Sequence, residues 1–343
     1  MSAPVSLLVP VKPPARPTLA KRFGRSVDKW LQRPGRYFIT DEAMKRFGTH
    51  AIMGAARRYN GWRYAERAER HAEAYRTKLA SLLRENGATG PSHIEIKDGY
   101  ALDTSLSLPH LDALLEQADA LVEERSGRTF SGVQQPFLRN LWFNEDAEKV
   151  PAVLDFITSS AVLEPVMRYL GTVPVLAKTR PGGIRLMESN AALDPGANGP
   201  FRESQLYHLD IHGTPLVYVL VAVRDIAPES GPWTFLPDSV SERACRAMNY
   251  GKRGMSYRVS DEEMYRHISP DERVVFSCPR GSVLFIDSSR CFHYGSRNAI
   301  PPRFQLMYAY TNVCRSDLSM TFLKNMSYPF ATDASRLRKM VLK

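Results

Sequence analysis

The run Leu216-Val217-Tyr218-Val219-Leu220-Val221-Ala222-Val223 constrains the fold more than any other stretch of this chain. It is apolar throughout and does not alternate, as expected of a strand covered on both faces. Such a strand belongs in the middle of a sheet with protein packed above and below it. Just upstream lies Gln205-Leu206-Tyr207-His208-Leu209-Asp210-Ile211-His212. Read as a strand over 205–211, it sends His208 and Asp210 out of one face, about 7 Å apart at the backbone. An imidazole and a carboxylate so placed can close on one metal ion. Taken alone, the tripeptide also fits a strand histidine hydrogen-bonded to its neighbour.

Alternation puts His212 on the same face, but three successive same-face positions span about 13 Å. His212 is therefore read as lining the site, and Tyr207, Leu209 and Ile211 as core. The third ligand is His293, in Cys291-Phe292-His293-Tyr294-Gly295-Ser296, which follows the apolar run Val283-Leu284-Phe285-Ile286. Two His and one carboxylate on one side of a metal form the facial triad of non-haem Fe(II) oxygenases. Ten positions after His293 comes Arg303, opening the alternating segment Arg303-Phe304-Gln305-Leu306-Met307-Tyr308-Ala309-Tyr310. Arg303 and Gln305 then share a face, where a guanidinium can take a carboxylate in a two-pronged grip. The alternative for Arg303 is a structural ion pair.

His208-x-Asp210, His293 and Arg303, with Glu229-Ser230-Gly231-Pro232-Trp233-Thr234-Phe235-Leu236-Pro237-Asp238-Ser239 between them, resemble the phytanoyl-CoA dioxygenase family of Fe(II)/2-oxoglutarate oxygenases. The middle stretch is similar to that family's Asn/Ser-Gly-Pro-x-x-x-x-Pro-Gly-Ser-His turn. It departs from it at Asp238, in place of the glycine, and at Val240, in place of the final histidine. The resemblance covers roughly residues 94 to 315, including Asp98-Gly99-Tyr100 and a helical pattern from Leu108 to Glu124.

The resemblance implies Fe(2+) held by His208, Asp210 and His293, with 2-oxoglutarate and O2 as cosubstrates and ascorbate admitted as an accessory reductant. Arg303 would hold the distal carboxylate of 2-oxoglutarate, with Ser296 and Gln305 beside it. The implied reaction hydroxylates an unactivated C–H bond of a small-molecule or acyl substrate and releases succinate and CO2. Asp210, where halogenating relatives have a small residue, points to hydroxylation. Ser296 reads equally as a turn residue capping a backbone N–H. Asp287 reads either as an acceptor that orients the ligand loop or as ordinary turn chemistry, and Trp233 either as lining the pocket or, the favoured reading, as a packed core aromatic. Two other classes stay open, a zinc-dependent enzyme on the same ligands and a non-catalytic barrel with a basic docking arm.

Segments at about 183–188, 205–211, 216–224, 234–236, 273–277, 282–287 and 303–312, with a turn carrying His293, read as short strands with Gly/Pro punctuation. That pattern argues for a mainly β fold with flanking helices (α+β) around a double-stranded β-helix, a jelly-roll, cupin-like core. Residues 189–203 and 240–272 read as loops at its mouth. Helices are expected at 51–86, stopped by Asn86-Gly87, and at 151–170, ended by Gly171. Thr40 is the expected cap of an earlier one.

The divisions expected are a Pro-rich tail (1–20), a basic helical extension (21–90), the oxygenase domain (91–320) and a C-terminal tail (321–343). The formal net charge of +10 sits in the extension. Residues 1–90 hold 18 Lys+Arg against 7 Asp+Glu, which leaves 28 against 29 of the totals 46 and 36 for the rest. That arm could dock on an acidic partner or a membrane surface, or pack through Tyr59, Trp62, Tyr75, Leu79 and Leu82. The second is favoured, because acidic residues interrupt it and no specific nucleic-acid motif is present. No apolar run nears the ~20 residues of a membrane span, Met1–Pro10 lacks the marks of a signal peptide, and the four cysteines show no Cys-x-x-Cys spacing. A cytoplasmic protein is expected.

Overall fold

The structure is a computed structural model that describes residues 40–128, 135–143, 145–177, 183–313 and 328–342. The expected tail at 1–20 and the first part of the expected extension, 21–39, lie outside the described residues. Among the described residues ten strands are formed: β1 (Tyr100–Asp103), β2 (Leu138–Asn140), β3 (Val175–Leu176), β4 (Ile184–Ser189), β5 (Leu216–Ala222), β6 (Thr234–Phe235), β7 (Val274–Val275), β8 (Val283–Asp287), β9 (His293–Tyr294) and β10 (Arg303–Thr311). They make a large antiparallel sheet in the order β1-β8-β5-β10-β4-β2, with β3 also on β10, and a small sheet in the order β7-β6-β9. The fold is thus a mainly β core with flanking helices.

The central strand β5 is buried at every position. Val217, Val219 and Val221 enter the cluster shared with the helices, while Leu216, Tyr218, Leu220 and Ala222 enter a second cluster with Trp233 and Phe235 of the small-sheet side. β10 divides in the same way. Leu306, Tyr308 and Tyr310 face the helices, and Met307 and Ala309 face the small sheet. Alternation along β10 therefore puts Arg303 and Gln305 on the inner face, between the sheets.

Several helices are shorter than their sequence pattern suggests. The expected helix at 51–86 is two, Thr49–Arg63 and Ala65–Glu85, parted at Tyr64, where φ is −120° and ψ 16°. Gly61 weakens the last turn before the break. The expected helix at 151–170 is also two, Pro151–Thr158 and Ser160–Leu170, because Ser159 is extended with ψ at 147°. Pro165 inside the second removes a backbone donor, and the Ser92 hydroxyl donates to the Ala161 carbonyl thus freed. Both expected stops hold: Gly87 and Gly171 adopt positive φ of 82° and 65°. The Thr40 cap accepts from Ala43 N–H at 3.3 Å.

Residues 240–272 are not a plain loop. Asp238–Met248 is a helix whose buried residues Ser241, Ala244 and Met248 recur at helical spacing. The stretch expected to be a C-terminal tail ends in a helix, Arg336–Leu342, with Leu337, Val341 and Leu342 fully buried. The N-terminal helices pack through Met44, Met53, Ala74, Leu82 and Leu83, whereas Trp62, expected in their buried stripe, is 67% exposed. Among the described residues no helix is long and apolar enough to cross a membrane.

Candidate metal centre

The stretch expected as a strand at 205–211 is not one: Gln205 closes a short 3-10 helix, Glu203–Gln205, and the residues after it run without a ladder. Three of them pair with three different segments: Tyr207 with Val259, His208 with His293, and Asp210 N–H with the Ser288 carbonyl at 2.8 Å. No ladder can grow from three unrelated partners, so the segment stitches together three parts of the chain. His208 and His293 exchange both backbone hydrogen bonds, each 3.1 Å. Tyr207 and Ile211 are buried on the opposite side, as the alternation implied.

The ligand atoms of His208, Asp210 and His293 all lie within 4.8 Å of one another. The two imidazole centroids are 4.4 Å apart, and His293 Nε2 lies 3.6 Å from Asp210 Oδ2. His208 Nδ1 faces the Leu206 carbonyl at 2.8 Å and His293 Nδ1 the Cys291 carbonyl at 3.0 Å. Both rings are thereby set with Nδ1–H donating to backbone and the Nε2 lone pair free to bind. Burial, and then the neighbouring His208, push the His293 pKa down to about 4, so the ring is neutral at ordinary pH. Burial alone would raise the Asp210 pKa, but the His293, His208 and His212 imidazoles and the Ser288 hydroxyl outweigh it and hold the carboxyl below its usual range. Two imidazole nitrogens and one carboxylate oxygen, all converging, suit a first-row divalent ion.

Arg303 is 1% exposed, and burial pushes its pKa down to about 9. Its Nη2 donates to the Ser296 hydroxyl at 3.2 Å, while Nε and Nη1 have no hydrogen-bond partner. Gln305, also fully buried, has neither amide atom satisfied. Ser296 adopts a φ of 63°, its carbonyl accepting from the Gln205 amide and its N–H donating to the Gly231 carbonyl. Arg303 and Ser296 are thus joined, and Gln305 follows Arg303 on the same face of β10, with polar atoms that no protein group satisfies. His212 acts on Asp210 electrostatically but does not join the three clustered ligands.

Four contributors escaped the sequence reading or were underrated by it. Trp233 stacks on His293 at 4.4 Å between centroids. Ser288 holds Asp210 through its carbonyl. Ser241 accepts from Phe292 N–H at 2.9 Å and donates to the Leu236 carbonyl, tying the His293 segment to the 238–248 helix. Arg185 on β4 is the fourth, and alternation in phase with Met187 was its only sequence signal.

No family model matches the chain, and no curated protein matches it. Among solved structures the chain is similar to the non-heme alpha ketoglutarate dependent carbocyclase SnoK from nogalamycin biosynthesis. The identity is 17% over 71% of this chain and 86% of that one, with a TM-score of 0.41. EctD from S. alaskensis with 2-oxoglutarate and 5-hydroxyectoine is similar at 15% identity over 62% and 72%, with a TM-score of 0.41. HygX from Streptomyces hygroscopicus with nickel and 2-oxoglutarate is similar at 14% identity over 62% and 82%, with a TM-score of 0.35. At these identities and TM-scores the likeness carries no weight of its own. In its motifs the chain resembles the phytanoyl-CoA dioxygenase-like family, and its functional reading rests on the side chains described above.

Proposed function

We propose that the chain is an Fe(II)- and 2-oxoglutarate-dependent dioxygenase whose two sheets are the halves of a double-stranded β-helix, or jelly roll, spanning roughly 91–320. The observation that carries this reading is Arg303. A buried guanidinium without a counter-ion is costly, and its Nε and Nη1 are unused on the face of β10 whose Met307 and Ala309 cluster with Trp233. A dicarboxylate cosubstrate supplies the missing anion, and a zinc hydrolase or a non-catalytic barrel leaves it unexplained.

In this reading His208, Asp210 and His293 hold iron, and Arg303 with Ser296 and Gln305 takes the distal carboxylate of 2-oxoglutarate. When bound, the two supply the oxidising chemistry, in which O2 and 2-oxoglutarate give succinate and CO2 as a substrate C–H becomes C–OH. The chain's part is to present two deprotonated Nε2 atoms and one carboxylate, to fix their rings through backbone carbonyls, and to keep water out behind Trp233. The substrate is a small molecule or acyl compound, and the described part of the 21–90 extension, residues 40–90, buttresses the domain.

Succinate release, with and without Fe(II) and 2-oxoglutarate, tests the reading. Arg303→Met is expected to raise the 2-oxoglutarate concentration needed by at least about tenfold, with Fe(II) affinity little changed. Zinc-supported activity that needs no 2-oxoglutarate would overturn it.

A further inference from the structure

A second arginine, Arg185, stands on the same inner face. On the β4–β10 ladder Arg185 lies opposite Met307 and Ser189 lies opposite Arg303. Paired residues of an antiparallel ladder leave the sheet on the same side, and Met307 belongs to the cluster between the sheets. Arg185 therefore points inward. Its guanidinium carbon is 5.2 Å from the centroid of Tyr218, on β5 beyond β10. The side chain reaches across β10 where Ala309, the pair of Tyr218, offers only a methyl group.

Tyr218 in turn meets Trp233 edge-on, 6.0 Å between centroids, and Trp233 stacks on His293. Arg185 is thus linked to the ligand set through two aromatic rings. Its Nε and Nη2 are shut off from solvent and have no hydrogen-bond partner. The Tyr218 ring face offsets part of the desolvation of that charge, but a ring face does not saturate the in-plane N–H groups of Nε and Nη2. Unlike Arg303, Arg185 is only partly buried.

We propose that Arg185 is a second anion-binding residue of this site, taking a carboxylate of a small molecule. Two sources share that chemistry, an acid group on the substrate and the metal-side carboxylate of 2-oxoglutarate. The inference rests on the oxygenase reading for what Arg303 holds and for the naming of these two sources. Its test does not need that reading to succeed.

Benzoate is the probe, since its carboxylate suits the guanidinium and its ring the Tyr218–Trp233 wall. Calorimetric titration of the full, metal-free chain is expected to show benzoate binding at least about tenfold weaker in Arg185→Met and intermediate in Arg185→Lys. Folding of each variant is checked by thermal melting. That result assigns Arg185 to a substrate acid. If benzoate affinity is unchanged but Arg185→Met weakens 2-oxoglutarate binding to the Fe(II)-loaded chain tenfold, the carboxylate is the cosubstrate's own. If neither affinity moves in a folded variant, or the wild type binds no benzoate and the variant binds 2-oxoglutarate normally, the proposal is overturned. If the wild type fails to bind 2-oxoglutarate while benzoate binding still depends on Arg185, the oxygenase reading falls and the anion site stands.

Discussion

Trp233 and His293 lie face to face, their planes 12° from parallel and their centroids 4.4 Å apart. The indole is 7% exposed and packs in turn against Tyr218, so the imidazole has a fixed wall on one side and the Cys291 carbonyl at its Nδ1. Rotation of the ring out of the ligand geometry is blocked from both directions. Trp233→Leu keeps the site apolar but removes the flat wall. Co(II) or Fe(II) affinity is expected to fall by about 10–100-fold, as measured by metal titration. An unchanged affinity would show that the hydrogen bond alone orients His293.

Asp287 supports the other carboxylate from beneath. It accepts from the Ser289 hydroxyl at 2.6 Å, Tyr169 OH at 2.9 Å, Ser289 N–H at 3.0 Å and Leu216 N–H at 3.2 Å. The residue between, Ser288, receives the Asp210 N–H. Asp287→Ala leaves four donors unpaired, and is expected to cost about 2–4 kcal/mol of stability together with a loss of metal affinity. Tyr169→Phe removes one donor and is expected to cost about 1 kcal/mol. Urea denaturation of the metal-free chain separates the two. Equal stability of Asp287→Ala and wild type would remove the supporting role.

The parts of this site that were legible in sequence are those where side-chain type alone decides the outcome. The unbroken run at 216–223 can only be covered on both faces, and β10 shows its alternation openly. Two His and one Asp of ligand chemistry were recognisable because few other roles suit them together. What was illegible depends on pairing between distant segments. The His208 stretch looks like a strand, yet its partners are Val259, His293 and Ser288, and nothing local announces that. The 238–248 helix was missed because its buried face is Ser241, Ala244 and Met248, too small and polar to stand out. The breaks at Tyr64 and Ser159 interrupt patterns that are helical on both sides, and tertiary packing decides where such a pattern bends.

Gly99 adopts a φ of +83°, and a Cβ there would lie 2.5 Å from Cys291 Sγ and 3.1 Å from the Asp238 Cβ. The residue sits where β1 meets the segment that leads to His293, and its carbonyl accepts from Asp287 N–H at 2.8 Å. Gly99→Ala combines backbone strain with a clash against a buried thiol. Destabilisation of about 1–3 kcal/mol is expected, readable as a lower denaturation midpoint. A neutral effect would mean that the Cys291 side chain moves freely, contrary to its burial.

The metal-free protein should lose stability in acid through His293. Burial lowers its folded pKa to about 4 from 6.5, so the unfolded chain binds the proton first as pH falls. Where the unfolded state binds more protons, stability rises with pH. The contribution is complete above about pH 6.5 and is lost between there and pH 4, on the order of 3 kcal/mol. Asp210, with its folded pKa also depressed, adds loss in the same direction at still lower pH. NMR titration of the His293 ring is the check, and a midpoint near 6.5 in the folded protein would contradict it.

The central claim is that one site holds iron through His208, Asp210 and His293 and 2-oxoglutarate through Arg303. Its most direct test is anaerobic titration of Fe(II) into the metal-free chain with and without 2-oxoglutarate, watching for the weak visible charge-transfer band of the chelated cosubstrate. The account predicts a band that requires both components, is absent in His208→Ala, and needs at least about tenfold more 2-oxoglutarate in Arg303→Met. A folded wild-type chain that binds Fe(II) but gives no band at saturating 2-oxoglutarate would contradict it.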